Sequence, residues 1–177
     1  VSDLTKMIGI VSKISFFTSA SRAVNITTTR NIFTQEYLGL SHLQGKQNES
    51  RVKAGKNAVK IKDSFLKSYK SRGIKDLRRY DILNFMALVD GDKDMNNLSR
   101  VVEDFLAQHS NDKNKQQLLC QCIQTCYLRG DLKYSRTLSE GAFFQTFDES
   151  PIAVLTYLQL EYDHGNYQEL VDKFKTT

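Results

Sequence analysis

Apolar residues recur every three or four positions along most of the chain from about residue 47 onward. The first such stretch contains Ala54, Ala58, Ile61, Phe65 and Tyr69. Their steps of four and three place them on one face of a helix. No stretch shows sustained alternation of apolar and polar residues between turn signals, so strands are not expected. The pattern predicts an all-α protein whose first long helix runs from about Gln47 to Ser71.

Glycines followed by a polar residue divide the rest of the chain into shorter helices. They are Gly91 before Asp92, Gly130 before Asp131, and Gly165 before Asn166. Glycine ends a helix easily because it tolerates the left-handed conformation, and Asp or Asn caps the helix that follows. Ser150 before Pro151 is a further start signal. With apolar runs on both sides of each glycine, the pattern predicts three helical hairpins.

These glycines lie 39 and 35 residues apart. Helix–turn–helix units of about this period are typical of α-solenoids, including tetratricopeptide-like repeats, in which each hairpin packs on its neighbours. We therefore predict that residues 76–177 form a helical-repeat domain preceded by a long basic helix. The repeats are expected to continue beyond Thr177, because an uncapped end would expose apolar surface.

The first thirty residues differ from the rest in composition. No acidic residue occurs between Asp3 and Glu36, whereas lysine, arginine, serine and threonine are frequent there. An amphipathic, basic and acid-poor N-terminus is typical of a mitochondrial presequence, so residues 1–30 are predicted to be one. This points to the mitochondrial matrix. An ordinary exposed N-terminal helix is the alternative.

The net charge of +5 is distributed unevenly. Residues 46–79 contain twelve basic and three acidic residues, whereas residues 80–177 contain nine basic and fifteen acidic residues. A basic segment joined to an acidic body indicates a polyanionic partner for that segment. Residues 31–75 are accordingly interpreted as a connecting segment and a lysine-rich helix.

Lysines of the predicted first helix fall within about 120° of arc, away from its apolar face. We predict that phosphates bind along this stripe and the arginines after it. The predicted binding residues are Lys53, Lys56, Lys60, Lys67, Lys70, Arg72, Arg78 and Arg79. Two alternatives stay open: a merely solvated helix face, and anionic inner-membrane lipid as the target of the same charge.

Residues 118–140, LLCQCIQTCYLRGDLKYSRTLSE, resemble a pentatricopeptide repeat. An apolar helix ends at Gly130, and Ser135 is the small residue that this family places five positions later. Residues 155–174, with Gly165, are similar but fit more loosely. The resemblance implies a mitochondrial protein that processes or stabilises RNA. Mitochondrial RNA is therefore the expected partner.

The same resemblance implies which residues would read bases. In the family they lie ten residues before the glycine, which gives Asp81, Cys120 and Leu155. Cys120 and Leu155 are poorly suited to hydrogen bonding with a base edge, so one-base-per-repeat recognition is not expected. Binding to the RNA backbone fits these residues better. So does a protein scaffold, such as an assembly factor or a subunit of a mitochondrial ribosome or respiratory complex, whose partner protein would bind the solenoid face.

No enzymatic or metal chemistry is predicted. Cys120, Cys122 and Cys126 lack a fourth ligand at suitable spacing and are expected to pack in the core. The histidines are isolated, and there is neither a phosphate-binding glycine loop nor a dinucleotide fingerprint. No apolar run is long enough to span a bilayer. We therefore expect a non-catalytic protein without a metal, cofactor or small-molecule substrate.

Overall fold

The computed structural model describes residues 33–108, 115–140, 150–168 and 170–171. These residues form helices and turns without a strand, which confirms the all-α prediction for this part of the chain. The helices are α1 (Leu40–Ala54), α2 (Ala58–Arg72), α3 (Arg79–Leu88), α4 (Asp92–Gln108), α5 (Lys115–Arg129), α6 (Leu132–Ser139) and α7 (Pro151–Asp163). The predicted presequence lies outside the described residues.

The segment predicted to form one long first helix forms two helices. A 3₁₀ turn, Gly55–Asn57, separates α1 from α2, and α1 already begins at Leu40. Gly55 has a φ of 48° and a ψ of −129°, a conformation outside the α-helix that glycine adopts without a steric penalty. The prediction of one helix from Gln47 to Ser71 is therefore wrong. The basic residues are divided between two helices instead of aligned on one.

Only part of the predicted apolar face of α2 packs. Gly55 is outside the helical conformation, so the break ends the register that the prediction carried from α1 into α2. Ile61, predicted to pack, is 41% exposed. Phe65 and Tyr69, which belong to the predicted face, do contact the core, and Leu66 contacts it as well. Lys62 lies on the same packed side, and its Nζ is 2.5 Å from Oδ2 of Asp94 on α4.

One apolar core lies among the later helices. α5 contacts α3 and α7, while α4 contacts α3 and α6. The largest fully buried side chains of these helices include Ile82, Phe85, Met86, Met95, Leu98, Leu118, Leu119, Ile123, Leu138 and Tyr157. Cys122 and Cys126 are buried in this cluster and Cys120 is partly buried against it, all as free thiols. The predicted core role of the cysteines is confirmed.

Glycines end two of the helices, as predicted: Gly130 follows α5, and Gly165 lies just past the end of α7. The same prediction is wrong for Gly91, because α3 already ends at Leu88 and Gly91 directly precedes α4. The φ angles of the three glycines are positive: 95° at Gly91, 66° at Gly130 and 76° at Gly165. Asp131 caps α6, because its Oδ1 accepts the backbone N–H of Tyr134 at 3.4 Å. Pro151 is the first residue of α7, and Ser150 occupies the N-cap position without a capping hydrogen bond from its side chain. The turn signals therefore predicted the ends of α5 and α7 and the starts of α6 and α7.

Residues 33–38 lie across α5 and α7. The backbone N–H of Phe33 donates to Oε1 of Gln159 at 3.1 Å. Nε2 of Gln124 donates to the carbonyl of Leu38 at 2.5 Å. Gln124 and Gln159 each lie six residues before a helix-ending glycine, so the two amides occupy matching positions on neighbouring helices. Leu38 is fully buried in this contact.

Two arginines bind the carboxyl end of α3. Nε of Arg51 donates to the carbonyl of Ala87 at 2.9 Å, and its Nη2 is 3.4 Å from the carbonyl of Val89. Nη1 of Arg129 donates to the same Val89 carbonyl at 3.1 Å. Carbonyls at the end of a helix lack partners within it, and cations there also offset the helix dipole. These arginine–carbonyl hydrogen bonds therefore attach both α1 and α5 to the end of α3.

Replacing Gly39 by alanine should destabilise the junction before α1. Gly39 has a φ of 69°, and an added Cβ would lie 3.2 Å from Nε2 of Gln124. We expect a loss of about 1–2 kcal/mol in the free energy of unfolding, measured by urea denaturation. Gly45→Ala is the matched control: nothing lies within 4 Å of its added Cβ. It should leave stability unchanged or raise it, and equal losses at both positions would contradict this account.

Candidate polyanion-binding surface

The predicted basic residues lie along α1, α2 and the turns next to them. Lys53 is in the last turn of α1, Lys56 is in the 3₁₀ turn, and Lys60, Lys67, Lys70 and Arg72 are on α2. Arg78 directly precedes α3 and Arg79 begins it. All of them except Arg79 are exposed. On α2 itself, Lys60, Lys67 and Lys70 span about 80° of arc.

Arg79 does not belong to the exposed set. Its side chain is partly buried, and its Nε is buried without a hydrogen-bond partner among the described residues. The reason is its place at the first position of α3, a helix whose later residues enter the core. Arg79 is therefore poorly placed to bind a phosphate, contrary to the prediction.

Other basic side chains of the segment hold the fold together. Arg51 binds carbonyls of α3, and Lys62 pairs with Asp94. The hydroxyl of Tyr69 donates to the carboxylate of Asp104; burial and this bond raise the pKa of Tyr69 to about 12. These contacts attach α2 to the body and turn its lysine-rich side outward.

The outward lysines carry uncompensated charge. Within the described residues, the ion pairs are Lys62 with Asp94 and Arg136 with Glu161. The predicted lysines therefore have no carboxylate partner in this part of the chain. Exposed and unpaired ammonium groups keep their full charge available to a polyanion, and each phosphate contact releases condensed counterions.

An open groove of about 530 Å³ adjoins this surface between α2 and the start of α4. It is lined by Asp63, Leu66, Lys67, Lys70, Ser71, Lys93 and Asn97. Three lysines against one carboxylate give the groove a net positive lining, and Ser71 and Asn97 add hydrogen-bond donors. Lys93 was not among the predicted binding residues, because Asp92 and Asp94 flank it and mask its charge in the sequence pattern.

The three positions implied for base reading do not form a row of exposed polar side chains. Oδ2 of Asp81 accepts the backbone N–H of Arg78 at 3.1 Å, so it caps α3. Leu155 is buried and Cys120 is partly buried. On the same helices as these last two, Gln124 and Gln159 already bind residues 33–38 of the chain itself.

The described residues show no group of three or more His, Cys, Asp or Glu side chains arranged to hold a metal ion. A hydrogen bond with Cys122 and burial raise the pKa of Cys126 well above the ordinary thiol value. The reactive, metal-binding form of cysteine is the thiolate, which this environment disfavours. In the same part of the chain, no helix has the length and apolarity needed to cross a membrane.

Comparisons of the chain with protein-family models, curated proteins and solved structures found no match. The exposed lysines of α1, the 3₁₀ turn and α2, with the groove beside them, are the most prominent chemical feature of the described residues. Their arrangement suits an extended anionic ligand better than a small molecule, because the charges lie along two helices instead of around an enclosed cavity.

Proposed function

We propose that this protein is a non-catalytic, pentatricopeptide-repeat-like protein of the mitochondrial matrix that helps to process or stabilise RNA. It binds the RNA phosphate backbone through the exposed lysines of α1, the 3₁₀ turn and α2. The observation that carries the proposal is that Lys53, Lys56, Lys60, Lys67 and Lys70 are exposed and unpaired within the described residues. Such a surface provides affinity without base readout.

The packing of the helices supports a repeat architecture. α3 with α4 and α5 with α6 are consecutive contacting helices joined at Gly91 and Gly130. Two tyrosine–aspartate contacts have nearly the period of the glycines. Tyr69 donates its hydroxyl to Asp104, 35 residues later, and Tyr127 donates its hydroxyl to Asp163, 36 residues later. A recurrent contact at this spacing is what stacked hairpins produce.

The proposed RNA contact is to phosphates instead of bases. Proteins that stack bases interleave aromatic side chains with their basic ones. The aromatic residues of α2, Phe65 and Tyr69, pack against the core instead. Lys93 extends the basic surface from α2 across the groove to α4. The RNA strand would therefore follow α2 with its bases turned away from the protein.

RNA binding by the full chain should weaken steeply with salt. Five phosphate contacts predict a log–log salt slope of about −3.5 for single-stranded RNA, or roughly a 100-fold loss for a fourfold rise in salt. Changing Lys53, Lys56, Lys60, Lys67 and Lys70 to Gln should remove most of the affinity and most of the slope. Fluorescence anisotropy with a labelled single-stranded RNA at two salt concentrations measures both.

The control variant is Arg100→Gln with Lys133→Gln, which removes two exposed basic residues from the acidic body. It should bind RNA nearly as the parent does. If the parent does not bind RNA at low salt, or if the five-lysine variant binds equally well, the proposal fails. The scaffold alternative would then be favoured, and its protein contacts should persist at moderate salt and depend on the hairpin faces.

A further inference from the structure

The bend between α1 and α2 exposes aliphatic side chains as well as lysines. We call residues 52–60 the elbow. Val52, at the end of α1, is 81% exposed, and Val59, at the start of α2, is 64% exposed. Lys53, Lys56 and Lys60 are also exposed in the elbow. Isolated surface valines are unremarkable, but two of them among three lysines at a single bend form a mixed apolar and cationic surface.

The elbow carries no negative charge of its own. No acidic residue occurs between Glu49 and Asp63. The two other basic residues of that interval face the body, because Arg51 binds the carbonyl of Ala87 and Lys62 pairs with Asp94. The charge that the elbow offers outward therefore comes from its three lysines alone.

The turn at the centre of the elbow is exposed. Gly55 is itself exposed, and an added Cβ there would meet no atom within 4 Å. Gly55 has a φ of 48° and a ψ of −129°, so the helix is interrupted there and α1 and α2 meet at the elbow. Only Ala54 within the elbow is buried. Both valines and all three lysines of the elbow are therefore accessible to a ligand outside the protein.

We propose that the elbow docks on an anionic lipid bilayer. Val52 and Val59 enter the boundary between headgroups and acyl chains, and Lys53, Lys56 and Lys60 contact headgroup phosphates. An RNA backbone would use the lysines but has no use for exposed valines. A bilayer surface uses both, since it combines negative charge with hydrocarbon. The attachment is peripheral and reversible, because two valines and three charges bury far less than a spanning helix.

This inference does not depend on RNA binding, although the two ligands share three lysines. RNA and vesicles should therefore compete for the protein. The valines separate the two activities. Val52→Ser with Val59→Ser should weaken vesicle binding about tenfold. The change removes the favourable free energy of burying the two valine side chains in the bilayer. The same variant should bind RNA as the parent does. Lys53→Gln, Lys56→Gln and Lys60→Gln together should weaken both.

The test uses the absence of tryptophan from the sequence. Val52→Trp places a single fluorescent reporter in the elbow of the full chain. Tyr167→Trp places one at another exposed position, remote in sequence from the elbow. Vesicles of equal parts phosphatidylcholine and cardiolipin should shift the emission of the first variant to shorter wavelength. They should also allow brominated lipid to quench it. The second variant should show neither effect, and vesicles of phosphatidylcholine alone should affect neither.

The proposal is overturned if the full chain does not sediment with the cardiolipin vesicles. It is equally overturned if the chain does sediment while the emission of Val52→Trp stays unchanged, because binding would then use another part of the chain. The proposal is also overturned if the double serine variant binds the vesicles as strongly as the parent does. Circular dichroism of each variant, compared with the parent, verifies that the fold is intact.

Discussion

Replacing Glu161 by alanine is expected to lower the free energy of unfolding by about 3–5 kcal/mol, because the change removes one partner of a buried ion pair. The Glu161 side chain is fully buried on α7. Its Oε1 accepts from Nε of Arg136 at 2.8 Å and from the Tyr157 hydroxyl at 2.6 Å. Its Oε2 accepts from Nη2 of Arg136 and from Nδ2 of Asn166, both at 2.9 Å. This one carboxylate joins α6, α7 and the turn after α7.

The effect should depend on pH in a defined direction. Burial raises the pKa of Glu161, but the hydrogen bonds from Arg136, Tyr157 and Asn166 outweigh it, so the pKa lies below the ordinary 4.5. A carboxyl with a lowered pKa contributes stability above its unfolded value and loses it as the pH falls through the folded value. The stability difference between the parent and Glu161→Gln should therefore be full above pH 4.5 and shrink below it.

Urea denaturation followed by circular dichroism, at neutral pH and at about pH 3, measures this difference. Glu49→Ala is the control, since Glu49 is an exposed glutamate within a helix. It should change stability by less than about 0.5 kcal/mol at either pH. A Glu161→Gln variant as stable as the parent at neutral pH would show that the network contributes nothing net.

Replacing Phe85 by alanine should destabilise the protein by about 3–5 kcal/mol. Phe85 is buried in the centre of α3 and stacks on Phe65 of α2, with ring centroids 4.6 Å apart. Truncation opens a cavity in the core and removes the stack at the same time. Phe65→Ala removes the same stack from its partly buried side, and we expect it to lower stability by only about 1–2 kcal/mol.

The two variants should also differ in where they act. No residue of α2 is fully buried, so α2 is held mainly by the Phe65 stack and by the contacts of Lys62, Leu66 and Tyr69. Amide hydrogen exchange of Phe65→Ala should accelerate in α2 while α5 and α7 stay protected. Phe85→Ala should accelerate exchange throughout the core. Unchanged exchange in α2 of the Phe65 variant would mean that other contacts hold the helix.

Local chemistry explains what the sequence predicted well. The apolar period identified the helices, and the glycines at 130 and 165 identified helix ends, because both signals act within one or two turns of chain. Cys122 and Cys126 could be placed in the core for the same reason. Exposure of Lys60, Lys67 and Lys70 also followed from the helical period, since the break leaves positions within α2 in register.

Contacts between distant residues explain what the sequence could not predict. Gly55 indicated a weak point in the helix, but the break becomes visible only in the fold, where α1 and α2 both pack on α3 and α1 also contacts α5. Arg51 and Lys62 look like members of the lysine-rich surface until Ala87 and Asp94 are brought to them by the fold. The opposite holds for Lys93, which lies between two acidic residues in the sequence. It becomes part of a basic groove only because α2 packs beside it in the fold.

The attachment of residues 33–38 to α5 and α7 bears on the order in which the chain can fold. Phe33 and Gln159 are 126 residues apart, and Leu38 and Gln124 are 86 apart. Closing such long loops is slow compared with forming a hairpin between consecutive helices. During synthesis, Phe33 must also wait until Gln159 has left the ribosome. The earliest of the described residues are thus among the last to dock, and Leu38 stays exposed to chaperones until they do.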